Sequence, residues 1–204
     1  MRTPLVALLG CVLLQVCAGD GRAQGTAPAA AGTGIQFENP ALPQPDRDAL
    51  SRAALLVSRW AMVQRVVQAV KTQETAPLPI ERVTAIDEAW QRGEDPEGLA
   101  TSIGKSDCSQ ALQTLVSANP GYAEAFVADD RGVLVCMSQR TTDYFQGDEE
   151  SWKRAFAGGA GAVFVSKLEH DASISLDVVH ISVPIKSAGK VIGVLIVGRI
   201  AAPG

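Results

Sequence analysis

The apolar positions of the chain change their period once, near residue 120. Before that point they recur at spacings of three and four. Leu56, Trp60, Val63, Val67 and Val70 fall on one line, while Arg52, Arg59, Arg65, Gln68 and Lys71 fall elsewhere. Such a stripe belongs to an amphipathic helix. With Pro45-Asp46 as its start signal, the pattern predicts one long helix over 46–71. A second helix follows over 80–92, with Val83, Ile86 and Trp90 on one side and a break at Gly93 to Pro96. A third begins at Ser106 or Asp107, presents Cys108, Leu112, Leu115 and Val116, and closes at Asn119-Pro120-Gly121.

After residue 120 the pattern is that of strands, over 122–128, 133–138, 162–168, 174–185 and 191–200. Asp129-Asp130-Arg131-Gly132 is a hairpin turn between the first two, and Ser187-Ala188-Gly189-Lys190 joins the last two. A polar segment over 139–148 leads into a short helix over 149–156, and Gly158-Gly159-Ala160-Gly161 hinges it to the third strand. The order predicts an α+β fold: a five-stranded antiparallel sheet, a long N-terminal helix before it, and a helical insert between strands two and three. In the last strand, Val191-Ile192-Gly193-Val194-Leu195-Ile196-Val197 is apolar on both alternating faces. A sheet with one wet face would alternate, so helices are expected on one face and the insert, with a ligand pocket beneath it, on the other.

The densest chemistry lies in Thr141-Thr142-Asp143-Tyr144-Phe145-Gln146-Gly147-Asp148-Glu149-Glu150-Ser151-Trp152. Rings, carboxylates, an amide and hydroxyls between two strands fit a small-molecule pocket. They also fit a helix cap, with Asp148 as N-cap and Trp152 and Phe156 in the core. A carboxylate in such a pocket pairs with an ammonium or guanidinium.

The run Glu124-Ala125-Phe126-Val127-Ala128-Asp129-Asp130-Arg131-Gly132-Val133-Leu134-Val135 resembles the first hairpin of the Cache family of extracytoplasmic, PAS-like sensor domains. Asp143-Tyr144-Phe145-Gln146-Gly147-Asp148-Glu149 with Trp152, His170-Asp171-Ala172-Ser173, and the closing hairpin from Ile181 to Leu195 are similar to later segments of that family. The resemblance implies a pocket for a small extracellular ligand on one sheet face. By position it would be lined or framed by Asp143, Tyr144, Gln146, Asp148, Trp152, Asp171 and Ser173.

Composition narrows the function classes. The net charge is −4, and no dense Lys/Arg run exists to attract nucleic acid or an anionic membrane. At the N-terminus, Arg2 precedes an uncharged apolar run over 5–16 and small residues ending at Ala23, the anatomy of a cleaved export signal. Residues 24–45, rich in Ala, Gly and Pro, read as a flexible linker, leaving 46–204 as one domain in the periplasm or outside the cell. After signal removal, two cysteines remain, Cys108 and Cys136, which are either a disulfide or two separately buried thiols.

The two histidines, His170 and His180, have no spacing typical of a metal or haem site, and His180 faces either the pocket or solvent. No metal or cofactor is therefore expected. No Gly-x-Ser-x-Gly elbow or phosphate loop occurs, and no nucleophile–base pair can be named, so an enzyme is not expected. With four residues after Ile200, the domain would have to signal through a separate membrane receptor or sensor kinase. The expectation is a binding or sensing domain for a small polar ligand: an amino acid, an amine or an organic acid. The alternative is an interaction or scaffold protein that forms a homodimer through the long N-terminal helix.

Overall fold

The computed structural model describes residues 34–201. The expected signal segment and residues 24–33 lie outside them. The described residues form an α+β fold around one mixed sheet in the order β1-β4-β5-β6-β2-β3. The strands are β1 (Ile35–Phe37), β2 (Tyr122–Asp129), β3 (Leu134–Met137), β4 (Val163–Asp171), β5 (Leu176–Ser187) and β6 (Lys190–Ile200). The helices are α1 (Gln44–Trp60), α2 (Gln64–Glu74), α3 (Ile80–Gln91), α4 (Leu99–Gly104), α5 (Asp107–Ser117) and α6 (Glu150–Phe156). Five strands pair antiparallel, as the pattern predicts.

The sixth strand corrects the linker reading. Ile35–Phe37 runs parallel to Val163–Val165, and Ile35 and Phe37 pack against the core. Three residues are too few to show a period, and their partner edge on β4 is remote in sequence.

The long helix over 46–71 is also corrected. It is two helices, interrupted at Ala61–Val63, where Val63 is extended. The buried face of α1 is Leu50, Ala53, Ala54, Val57 and Trp60. Continued straight, that face would bring Gln64, Gln68 and Lys71 to the core. The interruption rephases the chain so that Val66 and Val70 are buried instead. The stripe therefore packs on the protein's own sheet, with Leu56, Val63 and Val67 half-buried against the same cluster.

Both sheet faces are covered. Every residue of β6 from Val191 to Gly198 is buried. Ala125, Val127, Ile181, Val183, Leu195 and Val197 face a cluster shared with α1, α2 and α5. Phe126, Phe164, Val194 and Ile196 face the opposite cluster, with Val83, Ile86 and Trp90 of α3, Tyr144, and Ala155 of α6. A disulfide joins Cys108 at the start of α5 to Cys136 of β3, with Cα atoms 5.8 Å apart. Among the described residues, no helix is long and apolar enough to cross a membrane.

Candidate functional site

The segment 141–152 is held against α3 rather than lying free. Asp87 Oδ1 accepts hydrogen bonds from the backbone N–H groups of Tyr144 and Phe145, both at 2.8 Å. Trp90 Nε1 donates to the Thr141 carbonyl at 2.8 Å. Tyr144 is 2% exposed and packs beside Trp90, 5.5 Å between ring centroids. The hairpin turn supplies the other anchor. Gly132 has φ of 82°, and a Cβ there would stand 2.2 Å from Gly147 Cα, so only glycine lets the two loops touch.

Under this roof lies a cavity of about 270 Å³. Phe126 and Ile196 form part of its apolar lining. Thr141, Thr142, Asp143, Gln146, Glu149 and Ser151 come from the roof, and Glu169, Asp171 and Ser173 from the end of β4 and its turn. Glu124, His170, Ala172 and His180 complete it. Five carboxylates thus share the lining with two imidazoles, His180 within and the exposed His170 at the rim.

The deepest group is a row across three strands. Gly198 of β6 pairs with Glu124 of β2 on one side and His180 of β5 on the other. A Cβ on Gly198 would lie 2.9 Å from Glu124 Cγ. Its absence lets the two side chains meet over the central strand: His180 Nε2 is 3.2 Å from Glu124 Oε1 and 3.3 Å from Asp171 Oδ2. His180 Nδ1 is 2.9 Å from Glu169 Oε1. Ser173 Oγ donates to Asp171 at 2.7 Å and to Glu124 at 3.3 Å.

These contacts set the electrostatics. Burial opposes charge on His180, but hydrogen bonding to Asp171, Glu124 and Glu169 outweighs it and pushes the pKa up to about 11. Burial raises Glu124, and the neighbouring Asp171 adds to that. Burial also acts to raise Asp171, but hydrogen bonds from His180, Glu124 and Ser173 hold it well below the usual carboxylate range. At the roof, burial raises Asp143 and Glu149, and nearby carboxylates push the same way.

Of the seven residues expected at the site, Asp143, Gln146, Asp171 and Ser173 line the cavity. Three do not. Tyr144 is a core residue. Trp152 stacks on Phe156 at 4.8 Å and donates Nε1 to the Asp129 carbonyl. Asp148 is exposed, and its carbonyl receives Lys153 Nζ. Glu124, Glu149 and Glu169 were not expected there. The one available signal for Glu124 was parity: it shares a strand face with Phe126, so a charge stood at an inward position. His170 is exposed at the cavity rim, with Nδ1 2.9 Å from Asp177.

A larger cavity of about 670 Å³ opens between α2, α5 and the Asp129–Val135 hairpin. Two of its charged groups, Asp129 and Arg131, serve the fold's own backbone. Asp129 Oδ1 accepts from the N–H groups of Arg131 and Val133 at 2.9 Å each, and Arg131 donates to the Leu78 carbonyl at 2.8 Å. The smaller cavity gathers five carboxylates, and is the candidate site.

The described residues thus form a mixed six-stranded sheet whose helical insert roofs one cavity. No protein-family model matches the chain, and no curated protein sequence does. Among solved structures it is similar to the ligand-binding domain of the Pseudomonas fluorescens chemoreceptor CtaA in complex with L-valine, with TM-score 0.45 and 14% identity over 76% of this chain and 54% of that one. It is similar to the sensor domain of the Vibrio cholerae histidine kinase DctB, with TM-score 0.39 and 12% identity over 76% of this chain and 57% of that one. A third is the ligand-binding domain of the Pseudomonas aeruginosa amino acid chemoreceptor PctC in complex with GABA, with TM-score 0.37 and 21% identity over 55% of this chain and 57% of that one. The chain spans little more than half the length of these structures.

Proposed function

We propose that this chain is an extracytoplasmic binding or sensing domain whose acidic cavity takes a small polar ligand carrying a cationic amine. The observation that supports it is charge: Glu124, Asp143, Glu149, Glu169 and Asp171 line one cavity against two histidines, and the inner one, His180, is already surrounded by three of them. An ammonium group at the roof would replace carboxylate–carboxylate repulsion with attraction at Asp143 and Glu149, while Phe126 and Ile196 would face the ligand's carbon skeleton. A ligand with only carboxylate charge would meet acid on most sides. On this reading, occupancy is passed to a membrane receptor or sensor kinase, and no reaction is catalysed.

A thermal-shift screen with amines, amino acids and organic acids tests the proposal. Amines raise the melting temperature and simple organic acids do not. Ligand at a hundred times its dissociation constant adds about 2.7 kcal/mol. Stabilisation by organic acids alone, or by none of the three classes, rejects it.

A further inference from the structure

We propose that Glu124, Asp171 and His180, at the floor of this cavity, form a binding site for one first-row transition-metal dication of the Zn²⁺ type.

The three residues each offer one donor atom, and these atoms all lie within 4.8 Å of one another. The spacing is specific. An ion bound at about 2.0–2.2 Å holds adjacent ligand atoms roughly 3.0–3.5 Å apart in tetrahedral or octahedral arrangements. His180 Nε2 is 3.2 Å from Glu124 Oε1 and 3.3 Å from Asp171 Oδ2, the edges of such a polyhedron.

The other imidazole nitrogen is treated differently. Glu169 Oε1 takes Nδ1 alone, at 2.9 Å. A carboxylate on the far nitrogen is the arrangement that fixes the ring of a metal-ligating histidine and leaves Nε2 as the donor. Gly198 is a separate observation from the backbone. It stands between Glu124 and His180 on the central strand, and any side chain there would press on Glu124 Cγ at 2.9 Å. Without that space, donors on β2 and β5, which are not neighbours in the sheet, could not share an ion.

The donor chemistry selects the class. An imidazole with two carboxylates suits Zn²⁺ and its first-row neighbours, whereas Ca²⁺ and Mg²⁺ prefer all-oxygen sets with more ligands. Asp143 and Glu149 are not among the three donors, so the metal site stands whether or not an amine binds at the roof.

The full chain, stripped with a chelator and dialysed, is titrated with Zn²⁺ by calorimetry, and with Co²⁺ followed by visible absorption. One ion binds per chain, and bound Co²⁺ gives the intense bands of a low-coordinate nitrogen–oxygen site. Glu124→Gln and Asp171→Asn, each checked for a wild-type circular dichroism spectrum, lose on the order of 100-fold in affinity, and the positioning change Glu169→Gln loses about 10-fold. Asp143→Asn leaves Zn²⁺ affinity unchanged while it weakens any amine, which separates failure of this site from failure of the amine reading. The inference is overturned by no Zn²⁺ binding to the wild type, by wild-type binding in both Glu124→Gln and Asp171→Asn, or by Ca²⁺ binding as tightly as Zn²⁺.

Discussion

Two cavities among the described residues invert the usual expectation about size. The one between α2 and α5 is more than twice as large, about 670 Å³ against 270 Å³, and richer in hydrocarbon. Yet its buried acid, Asp129, closes the β2–β3 turn by accepting two backbone N–H groups, and the Cys108–Cys136 disulfide lies along its wall. The smaller cavity has carboxylates that outnumber their partners. The first lies between elements that stabilise one another, and the second concentrates like charge. Crowding of like charge, rather than volume, separates the two.

That contrast can be broken most directly at the disulfide. Cys136→Ala opens a loop of 28 residues and lowers the unfolding free energy by about 3–4 kcal/mol in urea melts. It leaves affinity at the acidic cavity within about twofold. A large affinity change with little loss of stability would reverse the assignment. Next comes Asp129→Ala, which strands two backbone donors and costs about 2–4 kcal/mol in the same melts.

The opposite signature is expected from Asp143→Asn. It weakens amine binding about 10- to 100-fold by calorimetry, the worth of a charge-assisted hydrogen bond, with no loss of melting temperature in the free protein. The smallest effect is in pH. Asp143 and Glu149 titrate above their ordinary values of 3.8 and 4.5. Their contribution to stability is therefore present below those values and lost as pH rises through the raised ones. An amine favours the ionised carboxylates, so its affinity climbs with pH across the same window and binding releases protons. Calorimetry in buffers of different ionisation enthalpy measures that release, and affinity that falls with pH there would contradict it.

Much of the sheet was legible because its signals are local. Val191 to Val197 is apolar on both faces, and the chain does cover both. The turn at Asp129–Gly132 and the insert before β4 follow from residues that constrain their own neighbours. The break at Ala61–Val63 was not legible, since no proline or glycine marks it. It answers to the phase of the sheet below, where Val66 and Val70 replace the glutamines a straight helix would bury. The site was legible in half. The segment 141–152 was the right roof, but Tyr144 and Trp152 went to packing, because large rings gain more from burial than from lining a small polar hole. Glu124, Gly198 and His180 are far apart in sequence, and only strand register brings them into one row.

The pairing of Ile35–Phe37 with β4 has a mechanical reading. Glu38 extends the seam: its carboxylate accepts from the Lys167 N–H and pairs with Lys167 Nζ, both at 2.9 Å. At roughly 3.3 Å per residue, this seam lies about 20 Å along one strand from Asp171 at the cavity rim. The clasp thus holds one end of the strand whose far end, beyond a register shift between Val165 and Leu168, carries Asp171 of the candidate site. Tension applied upstream of Ile35 would load the β1–β4 seam in shear, at the opposite end of β4 from the cavity.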